Sequence, residues 1–326
     1  MTTEIIPLGT ASAIPTRDRH LSAVALVRGG RTLLFDCGEG TQLQMIRAGV
    51  KPMRLQAVFI SHFHGDHFYG LFGLLATLAL LKRSHALTVV GPQGIADLVG
   101  RIPGLEPEWL PYPVDFVEMA PTMSKAIVLE SSEYRVEARP LEHREFAAGF
   151  RFEEKRRPGR LRLERAHELG VKDYVDFRLL KQGKAVTSGG RRVEPDEVLD
   201  APPPPASFAY VGDTRPCEAG EVLARGVDLL YHEATFGSEM ADRARETGHS
   251  TAAEAARIAA RSGARRLLIG HFSARYDDPA RLVEEARVVF KNTDAADELK
   301  RYPLQAVEPA AGERPVAQPD AHRGAQ

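Results

Sequence analysis

Residues 61–67 read SHFHGDH, so His62, His64, Asp66 and His67 crowd into one turn at the end of the apolar run LQAVFIS. Neutral imidazole nitrogens and a carboxylate oxygen are the donors that a borderline divalent ion such as zinc prefers. Side chains two apart in an extended segment project the same way, so His62 and His64 can reach one ion. Asp66 and His67, beyond the turn, can face a second. Two ions need more ligands, and further candidates each end an apolar run: His143 in PLEH, Asp213 in YVGDT and His271 in LLIGHF. Taken singly, His143 or His271 would be an ordinary hydrogen-bonded histidine, and Asp213 before Thr214 a helix cap. The four-residue cluster has no such plain account, because burying it without a cation leaves its polarity unmatched. His20, His85, His167 and His322 lack that company and are read as ordinary histidines.

The elements that must position these residues are legible as short apolar runs bounded by turn residues: EIIPLG, SAVALVRG, RTLLFDCG, LQAVFIS, LTVVGP, VDFVEM, KAIVLES and YRVEARPL. Runs of this length with β-branched residues read as strands. TQLQMIRAG and FYGLFGLLATLALLKR read as helices, the second apolar nearly all round and therefore expected to be buried. Later, SFAYVGDT, VDLLYHEAT and ARRLLIGHF alternate with helical CEAGEVLARG, STAAEAARIAARSG and PARLVEEARVVF, and Thr251 with Glu254 forms a capping box. Residues 155–192 break the pattern with twelve basic residues against four acidic ones and few positions suited to a core. They read as a projecting arm, rejoined to the body by the stiff APPPP connector at 201–205. Residues 309–326, rich in Pro, Ala, Gly and charge, read as a disordered tail. The domain is thus expected to span 1–308, without internal repeats.

Composition narrows the class. Two cysteines, Cys37 and Cys217, cannot make a disulfide framework and fit a reducing cytosol. The start carries no targeting pattern and no stretch reaches membrane-spanning length, so a cytoplasmic protein without a membrane partner is expected. The net charge of −1 makes no electrostatic case for nucleic acid on the whole molecule, although charge can be segregated locally.

HxHxDH at a strand end, with downstream His, Asp and His at further strand ends, resembles the metallo-β-lactamase superfamily. PLGTASAIPT, LFDCGEGTQLQ, GDTRPCE, HEATF, HST and HFSARY narrow the resemblance to the ribonuclease Z family, over about residues 4–308. The resemblance implies an α/β four-layer αβ/βα sandwich with a protruding arm, a homodimer, and two zinc ions per subunit. One ion would be held by His62, His64 and His143, the other by Asp66, His67 and His271, with Asp213 bridging. Asp66 falls where the family has its proton acceptor, and His249 and Glu233 match the family's HST and HEAT segments as a proton-relay pair.

The chemistry implied is endonucleolytic removal of the 3′ trailer from precursor transfer RNA. Paired zinc ions lower the pKa of a shared water, and the hydroxide so formed attacks the phosphodiester, leaving a 3′-hydroxyl on the transfer RNA and a 5′-phosphate on the trailer. The arm lies where the family inserts one that grips transfer RNA. Its excess of eight positive charges, with Lys155, Arg156, Arg157, Arg160, Arg162, Lys181 and Lys184 as expected contacts, would hold phosphates without reading bases. Two departures stand out: no Gly-Pro pair occurs in the arm near 170–177, and RDRHLSA stands where the family has Arg-Asn, so His20 or its neighbours fill that place. The competing enzyme reading is a two-zinc hydrolase of small phosphodiesters or other esters, which needs no arm. A non-catalytic RNA-binding module would be expected to lack a ligand, and all seven are present.

Overall fold

A computed structural model describes residues 2–106, 108–202 and 204–304. In chain order, β1 (Thr3–Gly9), β2 (Ala23–Arg28), β3 (Arg31–Phe35), β4 (Leu55–Phe59), β5 (Leu87–Pro92) and β6 (Val114–Met119) lie side by side in one sheet. A second sheet begins with β7 (Ala126–Glu130), β8 (Tyr134–Leu141) and β9 (Ala147–Glu154). After a separate hairpin of β10 (Val186–Ser188) and β11 (Arg191–Val193), it continues with β12 (Ser207–Val211), β13 (Leu229–Glu233), β14 (Leu267–Gly270) and β15 (Thr293–Ala295). The short β16 (Tyr302–Pro303) returns to the edge of the first sheet beside β1.

Both sheets combine an antiparallel part with a parallel run, β3 to β6 in the first and β12 to β15 in the second. Their inner faces meet over an aromatic core in which Phe35 stacks on Phe59 at 5.0 Å and lies 5.5 Å from Phe208. Helices Thr41–Arg47, Gly70–Leu80 and Ile95–Gly100 cover the outside of the first sheet; Glu218–Ala224, Ala252–Ser262 and Ala280–Val289 cover the second. Strands covered on both faces need near-continuous apolar runs, which is what LQAVF, SFAYV and LLIG supply. The four-layer αβ/βα expectation therefore holds. Thr251 and Glu254 form the expected capping box. Among the described residues, no helix is long and apolar enough to cross a membrane.

Three expectations need correction. The helix read as buried all round places Leu71, Leu74, Leu75 and Leu78 against the sheet but leaves Leu80 83% exposed and Leu81 half-exposed, since only one layer lies beneath it. The strand AAGFRFEE was not read, because its charged second half and its glycine hide the alternation. The arm is a folded unit: helices Leu163–Glu168 and Tyr174–Lys181 and the β10–β11 hairpin close over Ala166, Leu169, Val171, Leu180, Val186, Val193 and Val198. These apolar residues are spaced singly among charges and make a core only when the arm folds on itself. The expected tail at 309–326, with His322, lies outside the described residues.

Arm and body join at a buried ion pair. Arg28 Nε donates to Glu154 Oε1 at 2.6 Å, and Thr3 Oγ1 donates to the same oxygen at 2.9 Å. Burial pushes the Glu154 carboxyl up, but these donors and Ala206 N outweigh it and hold the pKa below 4.5. A carboxyl with a depressed folded pKa contributes stability above its unfolded value, and that contribution fades as pH falls through the folded value. Glu154→Gln should therefore cost on the order of 3 kcal/mol at pH 7, the cost of stranding a buried partner. The gap to the parent should narrow steadily below about pH 4. Urea unfolding at pH 7 and pH 3 checks this; an equal gap at both would refute the linkage.

Candidate metal centre

Every expected ligand arrives at the carboxyl end of a strand or in the loop that follows. His62 and His64 follow β4, and Asp66 and His67 sit in the short turn of helix Gly65–Phe68. His143 follows β8, Asp213 follows β12 and His271 follows β14. They converge as two groups, His62, His64, His143 and Asp213 on one side and Asp66, His67 and His271 on the other, with the ligand atoms of each within 4.8 Å of one another. Asp213 faces both. Its Oδ1 lies 3.2 Å from His67 Nε2 and 3.1 Å from His271 Nε2, while Oδ2 lies 3.6 Å from His62 Nε2 and 4.0 Å from His143 Nε2.

The opposite edge of four of the five rings is fixed by an oxygen, His64 instead turning its Nδ1 to His62 Nε2 at 3.0 Å. His67 Nδ1 meets Asp36 Oδ2 at 2.7 Å, His62 Nδ1 meets Ser61 Oγ at 2.9 Å, His143 Nδ1 meets Gly248 O at 2.8 Å and His271 Nδ1 meets Thr235 Oγ1 at 2.9 Å. With Nδ1 donating, each inward Nε2 presents a lone pair. His67 Nε2 and His271 Nε2 then oppose each other at 3.2 Å, and both confront a carboxylate oxygen. His143 Nε2 and Asp213 Oδ1 are buried without a hydrogen-bond partner. Converging lone pairs around a buried carboxylate fit a pair of divalent cations, and the nitrogen and oxygen donors suit zinc.

The electrostatics divide the histidines: burial opposes a charge on His67, but Asp213, Asp66 and Asp36 raise its imidazole well above the ordinary value, so a proton there competes with a cation. Burial, followed by the neighbouring His67, pushes the His62 imidazole well below its ordinary value. Burial opposes ionisation of Asp66 and Asp213, yet the surrounding histidines hold both carboxyls below the usual range, so they face the site as anions. His249 differs: burial disfavours its charge, but Glu233 and Asp213 raise its pKa to about 9. Its Nδ1 lies 2.9 Å from Glu233 Oε1, and its side chain is 15% exposed. The expected His249–Glu233 pair is thus assembled beside the ligands.

An open cleft of about 550 Å³ reaches this cluster, lined by His64, Asp66, His143, Asp213, His249 and His271. The loop after β1 forms its wall, and Ala13 N donates to Asp66 Oδ2 at 2.8 Å. A neighbouring cavity of about 470 Å³ continues past His249 to Phe236, Arg243 and Arg275. The arm residues are not brought here. Arg156, Arg160, Lys181 and Lys184 are exposed, whereas Lys155 pairs with Glu130, Arg157 with Glu154, and Arg162 bonds the carbonyls of Asp196 and Glu197.

Solved structures define the fold class. The metallo-β-lactamase fold protein YhfI of Bacillus subtilis superposes over 93% of this chain and all of its own, with TM-score 0.65 and 17% identity. The short form of human tRNase Z does so over 93% and 100%, with TM-score 0.68 and 27% identity. The family described as "Anti-Pycsar protein Apyc1" matches residues 3–96. Ribonuclease Z of Salinibacter ruber is 51% identical over 306 residues, 93% of this chain and 95% of that protein. Ribonuclease Z of Methanosarcina mazei is 43% identical over 90% and 96%. The chain belongs to the ribonuclease Z family.

Several residues of the site carried no assignment from the sequence. Asp36 accepts from Ser61 N at 2.7 Å and from Tyr210 OH at 2.7 Å besides facing His67. Thr235 Oγ1 donates to Glu233 Oε2 at 2.8 Å. Glu298 holds the Ala13 loop, accepting from Thr10 N at 3.0 Å and His20 N at 2.8 Å and meeting His20 Nδ1 at 2.9 Å. His20, read as ordinary, thus anchors the loop. Gly248 is obligatory, because a Cβ there would lie 2.9 Å from His143 Nδ1 and its φ is +83°. Asp36 and Thr235 could have been found as polar residues just past strand ends; Glu298 gave no local signal.

Thr235→Val removes the oxygen that holds the His271 tautomer and keeps the packing volume. Metal affinity should fall about 10- to 100-fold, read by competition with a chromophoric chelator. Undiminished affinity would discard the role given to Thr235.

Proposed function

We propose that this chain removes the 3′ trailer from precursor transfer RNA as a cytoplasmic homodimer with two zinc ions per subunit. The observation that carries the reading is the convergence of all seven ligands, His62, His64, Asp66, His67, His143, Asp213 and His271, in a ribonuclease Z family chain. When bound, the ions supply Lewis acidity that lowers the pKa of water and neutralises charge developing on the phosphate. The ionised Asp66 carboxylate, steadied by Ala13 N, orients the attacking water and accepts its proton. As the bond from phosphorus to the 3′ oxygen breaks, His249, held by Glu233, donates a proton to the leaving oxygen. The transfer RNA keeps a 3′-hydroxyl and the trailer a 5′-phosphate. The cavity beyond His249, where Arg275 lies 5.9 Å from the Phe236 ring, accommodates a flanking nucleotide.

The arm supplies affinity. It leaves the body after Glu154, the end of β9 remote from His143, and β9 spans roughly 26 Å at about 3.3 Å per residue. An arm rooted so far from its own centre serves the centre of a second subunit. Exposed Leu43 and Ile46 on helix Thr41–Arg47 give the dimer an apolar face.

Zinc-loaded protein incubated with a 3′-extended transfer RNA should cut once, immediately after the discriminator nucleotide. Replacing residues 158–202 by a short Gly-Ser linker should raise KM for that RNA at least tenfold and spare bis(p-nitrophenyl) phosphate. Hydrolysis of the small diester with no defined RNA cut would instead favour the small-phosphodiester reading. His249→Ala should slow precursor cleavage by about 10²- to 10⁴-fold. It should barely affect the p-nitrophenyl ester, whose leaving group needs no proton. Equal losses on both substrates would remove His249 from the donor role.

A further inference from the structure

At the opposite end of the first sheet, where β3, β4 and β5 begin, lies a cavity of about 560 Å³ lined by Arg31, Arg54, Gln56, Arg83 and His85 together with short apolar residues. No Asp or Glu lines it. Arg83 is 1% exposed, yet among the described residues it has no carboxylate partner. Its Nε donates to His85 O at 2.8 Å and its Nη2 to Leu55 O at 2.9 Å and Ala86 O at 2.6 Å, leaving Nη1 unpartnered. Buried guanidinium groups are normally compensated by an anion; three carbonyl dipoles and the face of the Tyr112 ring, 5.6 Å away, compensate this one only in part.

The other cations are also under-used. Among the described residues, the Arg54 side chain has no hydrogen bond or ion pair. Arg31 reaches only Glu133, at 3.8 Å, with its side chain 59% exposed. Gln56 accepts from Tyr134 OH at 3.1 Å through its carbonyl oxygen, which leaves its amide hydrogens free to donate. The cavity thus offers two exposed guanidinium forks, an amide donor and a buried positive charge beneath them, a donor set matched to a tetrahedral oxyanion.

We propose that this cavity binds a phosphoryl group, separately from the metal centre at the other end of the sheet. Its position names two sources. Lys155 N, the first residue of the arm, donates to Glu133 O at 2.8 Å, so the cavity adjoins the arm root, where an RNA backbone phosphate can be presented. Its volume also admits a free phosphorylated small molecule. The RNA source rests on the function proposed above; phosphoryl binding does not.

Calorimetric titration of the zinc-loaded chain with inorganic phosphate tests the site directly. Arg54→Ala and Arg31→Ala should each weaken a phosphate-binding component at least fivefold, with zinc content and melting temperature unchanged. Arg54→Lys should retain most of the binding. Phosphate binding identical in the parent and both alanine variants would overturn the proposal. The salt dependence of binding to an uncleavable precursor transfer RNA then separates the sources. A log–log slope reduced by about 0.7 to 0.9 in Arg54→Ala assigns the site to an RNA phosphate. An unchanged slope with lost phosphate binding assigns it to a free phosphate compound. The phosphate titration contains no RNA, so its failure is distinct from failure of the RNA-processing reading.

Discussion

The metal centre depends on two buried carboxylates that touch none of the space between the ligands' inward nitrogens. Asp36, at the end of β3, bonds His67 directly and reaches His62 through the Ser61 hydroxyl, which lies 2.9 Å from each. Glu233, at the end of β13, bonds His249 directly and reaches His271 through the Thr235 hydroxyl. Each sheet thus contributes one acid and one hydroxyl relay that orient two imidazoles. Asp36 also accepts from Tyr210 of the second sheet, so the carboxylate that orders the site ties the two sheets together. Burial alone would favour a neutral Glu233, and His249 beside it holds that carboxyl below its ordinary value.

Holding ligands this way needs backbone that the sheets alone would not select. Ala13, Asp36 and His271 all adopt positive φ, near 62°, 57° and 58°. Such geometry costs about 1–3 kcal/mol per residue and persists only where surroundings over-determine it. Those surroundings are visible: Phe272 N donates to Thr10 O, Ser12 N donates to Phe272 O, and Arg19 caps the carbonyls of Tyr276 and Asp277. Glu298, near the end of the described chain, closes the same loop from below. The wall of the cleft is therefore built from three distant segments and fixed before any substrate arrives.

How much of this could be read beforehand follows the range of the interactions. The strands ending in His62, Asp213, Glu233 and His271 are short apolar runs, and their periodicity is local, so both the strands and the ligands at their ends were legible. Grouping the ligands by ion came from family resemblance; the distances gather the same residues and add an overlapping cluster of Asp213, His249 and His271. Glu298 was invisible, because its partners lie more than 250 positions away and its neighbours carry no pattern. The arm core was missed for a related reason: single apolar residues among charges look like a solvated surface until helices and hairpin bring them together. β9 escaped because only half of it is covered on both sides.

Charge segregation explains how a chain of net charge −1 can handle RNA. The folded arm, residues 155–202, carries twelve basic and eight acidic residues, an excess of four, so the rest carries −5. A polyanion is thus drawn to the arm and repelled from most of the body, with the cationic centre as the exception once ions are bound. Long-range attraction of this kind sets encounter rate and orientation, while contacts at the cleft set the cut. An RNA gains from both only if its length and shape let it touch an arm and a centre together. On the proposed function, selection by span replaces reading of bases, and the stiffness of the arm becomes as important as its charge. That is the physical use of giving a charged insertion a hydrophobic core of its own.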